Sequence, residues 1–183
     1  MVKRLMFAVS AVALSLALST SAQAQAHFGV AAGVSMPQST FGDDFKSGYN
    51  VTGFLSYSMP LSPVGIRAEL GYNSFDVKGG GAKARVLDGA ANLVLQVPGG
   101  TMIKPYVTGG LGAYNTKITF DDASLASFFG SPSETRLGFN GGVGLSFGLS
   151  GFQTQLEARY VYVTAKSGND ATKYVPITFG IMF

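Results

Sequence analysis

Beyond the first two dozen residues, large apolar side chains recur at every second position. In VPITFGIMF, Val175, Ile177, Phe179, Ile181 and Phe183 alternate with Pro176, Thr178, Gly180 and Met182. A period of two belongs to a β-strand with one apolar face, because successive side chains point to opposite sides of the sheet. Eight segments read this way. HFGVAAGVSM keeps Phe28, Val30, Ala32, Val34 and Met36 in phase, and YNVTGFLSYSM does the same with Tyr49, Val51, Leu55, Tyr57 and Met59. GIRAELGYNSF sets Ile66, Ala68, Leu70 and Tyr72 against Arg67, Glu69 and Asn73. RVLDGAANLVLQV sets Leu87, Ala91, Leu93, Leu95 and Val97 against Asp88, Asn92 and Gln96. In IKPYVTGGLGAYN the apolar face is assigned to Ile103, Val107 and Leu111, which turns Lys104 and Thr108 away. RLGFNGGVGLSF and FQTQLEARYVYV complete the set, with Arg136, Asn140 and Ser146 on one polar face and Gln153, Gln155, Glu157 and Arg159 on the other.

The connections alternate in length. PLSPVG, PGGTM and LSG are short, whereas polar stretches at about 37–48, 76–84, 115–134 and 165–173 are longer, and no sustained amphipathic helix interrupts them. The expected fold is therefore all-β, an eight-stranded antiparallel up-and-down barrel. Short turns at one end, long loops at the other and strands of about ten residues suit a barrel that crosses a membrane.

A soluble, lipocalin-like barrel shares the alternation, and the charges separate the two. Charged residues in the segments lie opposite the apolar phase, except Arg85 at a loop junction, and some strands carry none. Such a face would make a poorly solvated exterior. Turned inward, Arg67, Glu69, Asp88, Arg136, Glu157 and Arg159 are expected to form an ion network filling the barrel, since buried charges persist where they pair. Glycines 109, 110, 112, 141, 142 and 144 would give it room. Tyrosines 49, 57, 72, 160 and 162, in the apolar phase near strand ends, are expected to form an interfacial girdle.

The chain opens differently. Lys3 and Arg4 precede an apolar run from Leu5 to Leu18 and then STSAQAQA. These are the parts of a secretory signal peptide, and the run is too short for the roughly 20 residues of a spanning helix. Residues 1–24 are assigned to the signal, with cleavage after Ala24 or Ala26, and residues 25–183 to one barrel domain. Removing Lys3 and Arg4 from 13 Lys and Arg leaves 11, against 10 Asp and Glu. That balance gives no support to nucleic-acid binding. The absence of cysteine is compatible with an exported chain that does without disulfides.

KPYVTGGLGAY (104–114), RLGFNGGVGLSF (136–147), QLEARY (155–160) and the terminal FGIMF resemble the later strands of the small eight-stranded outer-membrane barrels, a family that includes the membrane domain of outer-membrane protein A. The resemblance spans essentially the whole mature chain, but its motifs belong to the fold and carry no chemistry. It implies an outer-membrane location. It also implies that Val175, Ile177, Phe179, Ile181 and Phe183 form a recognition signal for the barrel-assembly machinery. Outer-membrane protein A continues into a periplasmic domain that does not follow here, so no peptidoglycan attachment is inferred.

Candidate chemistry is sparse. The single histidine, His27, falls near the mature N-terminus, at the end opposite the long loops. Outer-membrane hydrolases pair a histidine with a serine or a carboxylate near the outer leaflet, so an enzyme is not expected. No cysteine and no second histidine point to a metal, and no cofactor is expected. Glu69 and Glu157 would suit acid–base work, but Arg67 and Arg159 two residues away favour an ion network. Asp43-Asp44 and Asp121-Asp122 read as solvated loop charges, Gly79-Gly80-Gly81 as a flexible loop, and the Asn50-Val51-Thr52 sequon as coincidental. In the longest loop, DDASLASFF suggests a short helix that presents Leu125, Phe128 and Phe129 as a contact patch.

The expected role is structural or surface-interacting, with outer-membrane lipid around the barrel, an extracellular partner possible at the loops, and a monomeric state. A small porin-like channel is the alternative, with a lipid-modifying enzyme and a soluble lipocalin-like binder more remote.

Overall fold

A computed structural model of the chain describes residues 25–59, 62–97, 102–120, 133–149, 151–165 and 170–183. The signal-peptide assignment, apart from the mature start, and Leu125, Phe128, Phe129, Asp121 and Asp122 lie outside them. The elements run β1 (Gln25–Gln38), α1 (Ser39–Asp44), β2 (Gly48–Ser58), β3 (Val64–Asp76), β4 (Ala82–Gln96), β5 (Ile103–Phe120), β6 (Ser133–Leu149), β7 (Phe152–Val163) and β8 (Thr172–Met182). Each strand pairs antiparallel with the next, and β8 returns to β1, giving a closed barrel of eight strands.

At the seam, Val30 faces Ile181 and Val34 faces Ile177. Phe28 and Phe183 continue the ladder by exchanging backbone hydrogen bonds of 3.2 and 2.8 Å, and their rings stack with centroids 5.5 Å apart. One ladder has a gap. The β7–β8 register runs to Ala158 opposite Ile177 and resumes at Val161 opposite Tyr174. Pro176, which lies in the gap, has no N–H to give.

The period-two phases hold along all eight strands. Leu70, Leu111 and Leu137 are more than 70 % exposed on the outer wall, while Arg67, Asn92, Asn140 and Glu157 are buried inside. The outward residues of β4 and its flank, from Val97 to Leu87, span ten residues; at ~3.3 Å each and a tilt of ~40° they form a band ~25 Å tall, the height of a hydrocarbon layer. The five tyrosines of the expected girdle also face outward, and Tyr49 lies 6.0 Å from Tyr72, ring to ring.

Four features refine the expectation, and one of them, the extension of β5 into the longest loop, is allowed by the sequence there. Gly109 and Gly141 belong to the outward phase, so only Gly110, Gly112, Gly142 and Gly144 of the six border the interior. The expected long loop at 76–84 is a tight connection, because Gly79, Gly80 and Gly81 all take positive φ angles and turn the chain within five residues. β5 runs on to Phe120 and β6 starts at Ser133, which shortens the third long loop to the residues between. Finally, the first loop contains the single-turn-and-a-half helix α1, which folds back over the barrel mouth.

Candidate functional site

The lumen is where the sequence predicts a site, and it is built in two tiers. In the lower tier the inward phase of β3 supplies Arg67 and Glu69, and that of β7 supplies Glu157 and Arg159. These strands lie on opposite sides of the barrel, so the side chains meet across its bore. Arg67 Nη1 donates to Glu157 Oε2 at 2.8 Å and lies 3.6 Å from Glu69 Oε1. Arg159 grips Glu69 with both terminal nitrogens, Nη2 at 2.8 Å from Oε1, and its Nε donates to Glu157 Oε1 at 2.9 Å. Two cations and two carboxylates thus form a closed, neutral quartet.

Its remaining hydrogen-bonding capacity is also used. Tyr106 Oη donates to Glu157 Oε2 at 2.8 Å, Arg67 Nε donates to Ser56 Oγ at 3.2 Å, and Arg67 Nη2 reaches Gln155 Oε1 at 3.3 Å. The Arg67 guanidinium lies 5.1 Å from the Phe54 ring centroid and 5.4 Å from that of Tyr106. Sequence explains how Tyr106 gets there. Gly144 faces it, and a Cβ at that position would sit 2.2 Å from the Tyr106 ring. The alternation of β5 carries one signal for Tyr106, its place in the inward phase with Lys104 and Thr108, but nothing in it marks the residue as a partner of the charges.

Asp88 and Arg136 stand apart from the quartet. Asp88 accepts from Asn73 Nδ2 at 3.2 Å, and the Asn73 carbonyl accepts in turn from Ser35 Oγ at 2.7 Å and Asn50 Nδ2 at 2.8 Å. It borders the same small cavity as the quartet, about 30 Å³ in volume, which is room for about one or two waters. Arg136 is not in the network. It pairs with Glu134 at 2.5 Å and reaches the Asp170 carbonyl at 3.3 Å. The reason is height: Arg136 lies six residues along β6 from Gly142, the register partner of Arg159, or ~20 Å at the strand rise.

The upper tier is apolar. Phe75, Ala84, Val86, Tyr114, Val161, Val163 and Tyr174 form a buried cluster in the lumen at the loop end. Phe75 meets Tyr174 edge-on at 5.5 Å and Phe41 of α1 at 5.2 Å. α1 is tethered over this cluster by Lys78, whose Nζ donates to the Gly42 carbonyl at 2.6 Å and whose backbone N–H donates to the Asp44 carbonyl at 2.7 Å. The polar interior expected from the sequence therefore needs a correction: near the loops the inner face is packed with aromatic and branched side chains, while the outer face there carries polar residues such as Ser74, Arg85 and Lys117.

The other candidate groups fall elsewhere. His27 sits at the turn end, its Nδ1 3.2 Å from the Phe183 carbonyl oxygen. Asp43 and Asp44 are exposed at the end of α1. Val175, Ile177, Phe179, Ile181 and Phe183 share the outward phase of β8 and the residue after it. Among the described residues, no three His, Asp or Glu side chains converge as metal ligands.

Comparison with known proteins bears on this architecture. A family model described as outer membrane protein beta-barrel domain matches residues 10–183. Among solved structures, Neisserial surface protein A superposes with a TM-score of 0.69 at 12 % identity, covering 88 % of this chain and 98 % of that one. The N-terminal β-barrel domain of OprF from Pseudomonas aeruginosa gives 0.53 at 14 % identity, with 88 % and 100 % covered. The attachment invasion locus protein of Yersinia pestis gives 0.54 at 15 %, again with 88 % and 100 % covered. No curated protein matches the chain by sequence.

Proposed function

Because the chain belongs to the outer membrane protein β-barrel family, we propose that it serves as a closed barrel of the outer membrane with a structural or surface-interaction role. The observation that carries this reading is the double blockage of the lumen, by the ion quartet below and the aromatic cluster above. An eight-stranded barrel is only just wide enough for its own side chains, and here they are bonded across it. In planar bilayers the folded protein should give no steady conductance; sustained open channels would establish the porin-like alternative instead.

The barrel is oriented with its long loops outside the cell and its short turns in the periplasm. To Leu125, Phe128 and Phe129, in the sequence between β5 and β6, we assign the contact with an extracellular partner. The Yersinia pestis attachment protein has been crystallised with a heparin analogue, sucrose octasulfate, so a sulfated oligosaccharide is one partner to assay. A non-enzymatic role is supported by the position of His27, at the turn end against the Phe183 carbonyl. No cofactor and no metal is required. A monomer is supported by closure, which leaves no strand edge to pair. Outer-membrane fractionation with a heat-dependent gel shift separates this reading from a soluble binder.

Export uses the signal of residues 1–24, and assembly reads the outward row Val175, Ile177, Phe179, Ile181 and Phe183. Deleting Phe183, or placing lysine at Phe179, should reduce the heat-shifted form several-fold while the processed chain still reaches the periplasm. Unchanged assembly of both variants would exclude the terminal signal.

A further inference from the structure

On the outer wall, the apolar band of β4 ends at Leu87, and the next outward residue is Arg85. Across the ladder Arg85 faces Lys117 of β5, and both side chains are exposed. Like charges directly opposite on one face of a sheet repel each other. Among the described residues neither has an ion-pair partner: the nearby carboxylate, Asp76, lies 3.7 Å from Lys83, its own register partner. The row continues as Ser74 and then Tyr49 on one side and Ser133 on the other. Tyr49 is 55 % exposed and, with Tyr72 opposite Leu87, marks where the band meets the headgroups.

We propose that Arg85 and Lys117 hold the phosphate of a lipid headgroup in the leaflet around the loop end. The depth argues for lipid. Arg85 stands two residues beyond Leu87, ~5 Å above the edge of the band once the tilt is allowed for, on a wall that faces the bilayer. The chemistry argues for phosphate. A guanidinium forks onto two oxygens while an ammonium supplies a point charge beside it, and an anion between them relieves their repulsion. A basic pocket at headgroup level is how membrane proteins select anionic lipids.

The test uses the full barrel in nanodiscs of phosphatidylcholine, with or without bisphosphorylated lipid A. The lipid retained after detergent extraction is counted by native mass spectrometry. Wild type should retain lipid A at least fivefold more than R85S/K117S, retention should fall as salt is raised, and R85K/K117R should keep it. K104S, which removes a cation at the turn end, should behave as wild type. Equal retention by wild type and R85S/K117S overturns the proposal, as does equal loss in K104S. Binding of a soluble sulfated oligosaccharide through Arg85 and Lys117, with no lipid A retained, also overturns it in favour of a soluble partner. Heat-dependent mobility reports closure. If the double variant does not close, R85S and K117S singly are held to the same outcomes.

Discussion

The two tiers of the lumen do the same job with opposite chemistry. The quartet fills space with charges that need one another, and each carboxylate holds both arginines. The cluster around Phe75 fills space with surfaces that need only a neighbour of suitable shape. The difference lies in what a single change leaves behind. Removing one member of a buried ion network strands the others in a low dielectric, whereas trimming one member of an apolar cluster leaves a void that its neighbours partly close.

The largest effect is therefore expected in the lower tier. Glu157→Ala deprives Arg67, Arg159 and Tyr106 of a shared acceptor, and should lower the unfolding free energy by about 3–5 kcal/mol, measured by urea titration in lipid vesicles. Glu157→Gln, nearly the same size, should also destabilise, since the charge and not the volume is what the arginines lose. Phe75→Ala in the upper tier should cost about 3 kcal/mol, but Phe75→Leu should cost clearly less, because it leaves a smaller void for the neighbours to close. If Glu157→Gln were as mild as Phe75→Leu, the contrast between the tiers would collapse. The smallest effect belongs to a pair outside both. Asp76→Ala, which breaks the exposed contact with Lys83, should change stability by less than about 1 kcal/mol.

The tiers also differ in how far the sequence exposes them. The lower one is legible because Arg67, Glu69, Glu157 and Arg159 interrupt otherwise apolar alternation, and a charge in such a strand has one face to occupy. What alternation does not encode is height. Arg136 shares the inward face yet sits some ladder rungs above the quartet, because register between strands three or four apart accumulates through every intervening pairing. The upper tier is hidden for a different reason. In the run Tyr160-Val161-Tyr162-Val163 both faces are apolar, so the period-two signal vanishes where Val161 and Val163 turn inward. Likewise Phe41 and Phe45 lie in a polar loop, and no strand pattern assigns them to the mouth of the barrel.

The seam where Phe28 and Phe183 exchange hydrogen bonds has a kinetic consequence. Seven of the eight ladders join strands that are neighbours along the chain, and each closes a far shorter loop than the eighth does. The eighth joins segments about as far apart as the described chain permits; His27 and Phe183 are 156 residues apart. Loop-closure entropy and contact order both make such a pairing the slow one. Until it forms, the sheet is a curled ribbon with two open edges, so the time spent in that state, more than the strength of any one contact, sets how long those edges are open to pairing with other chains.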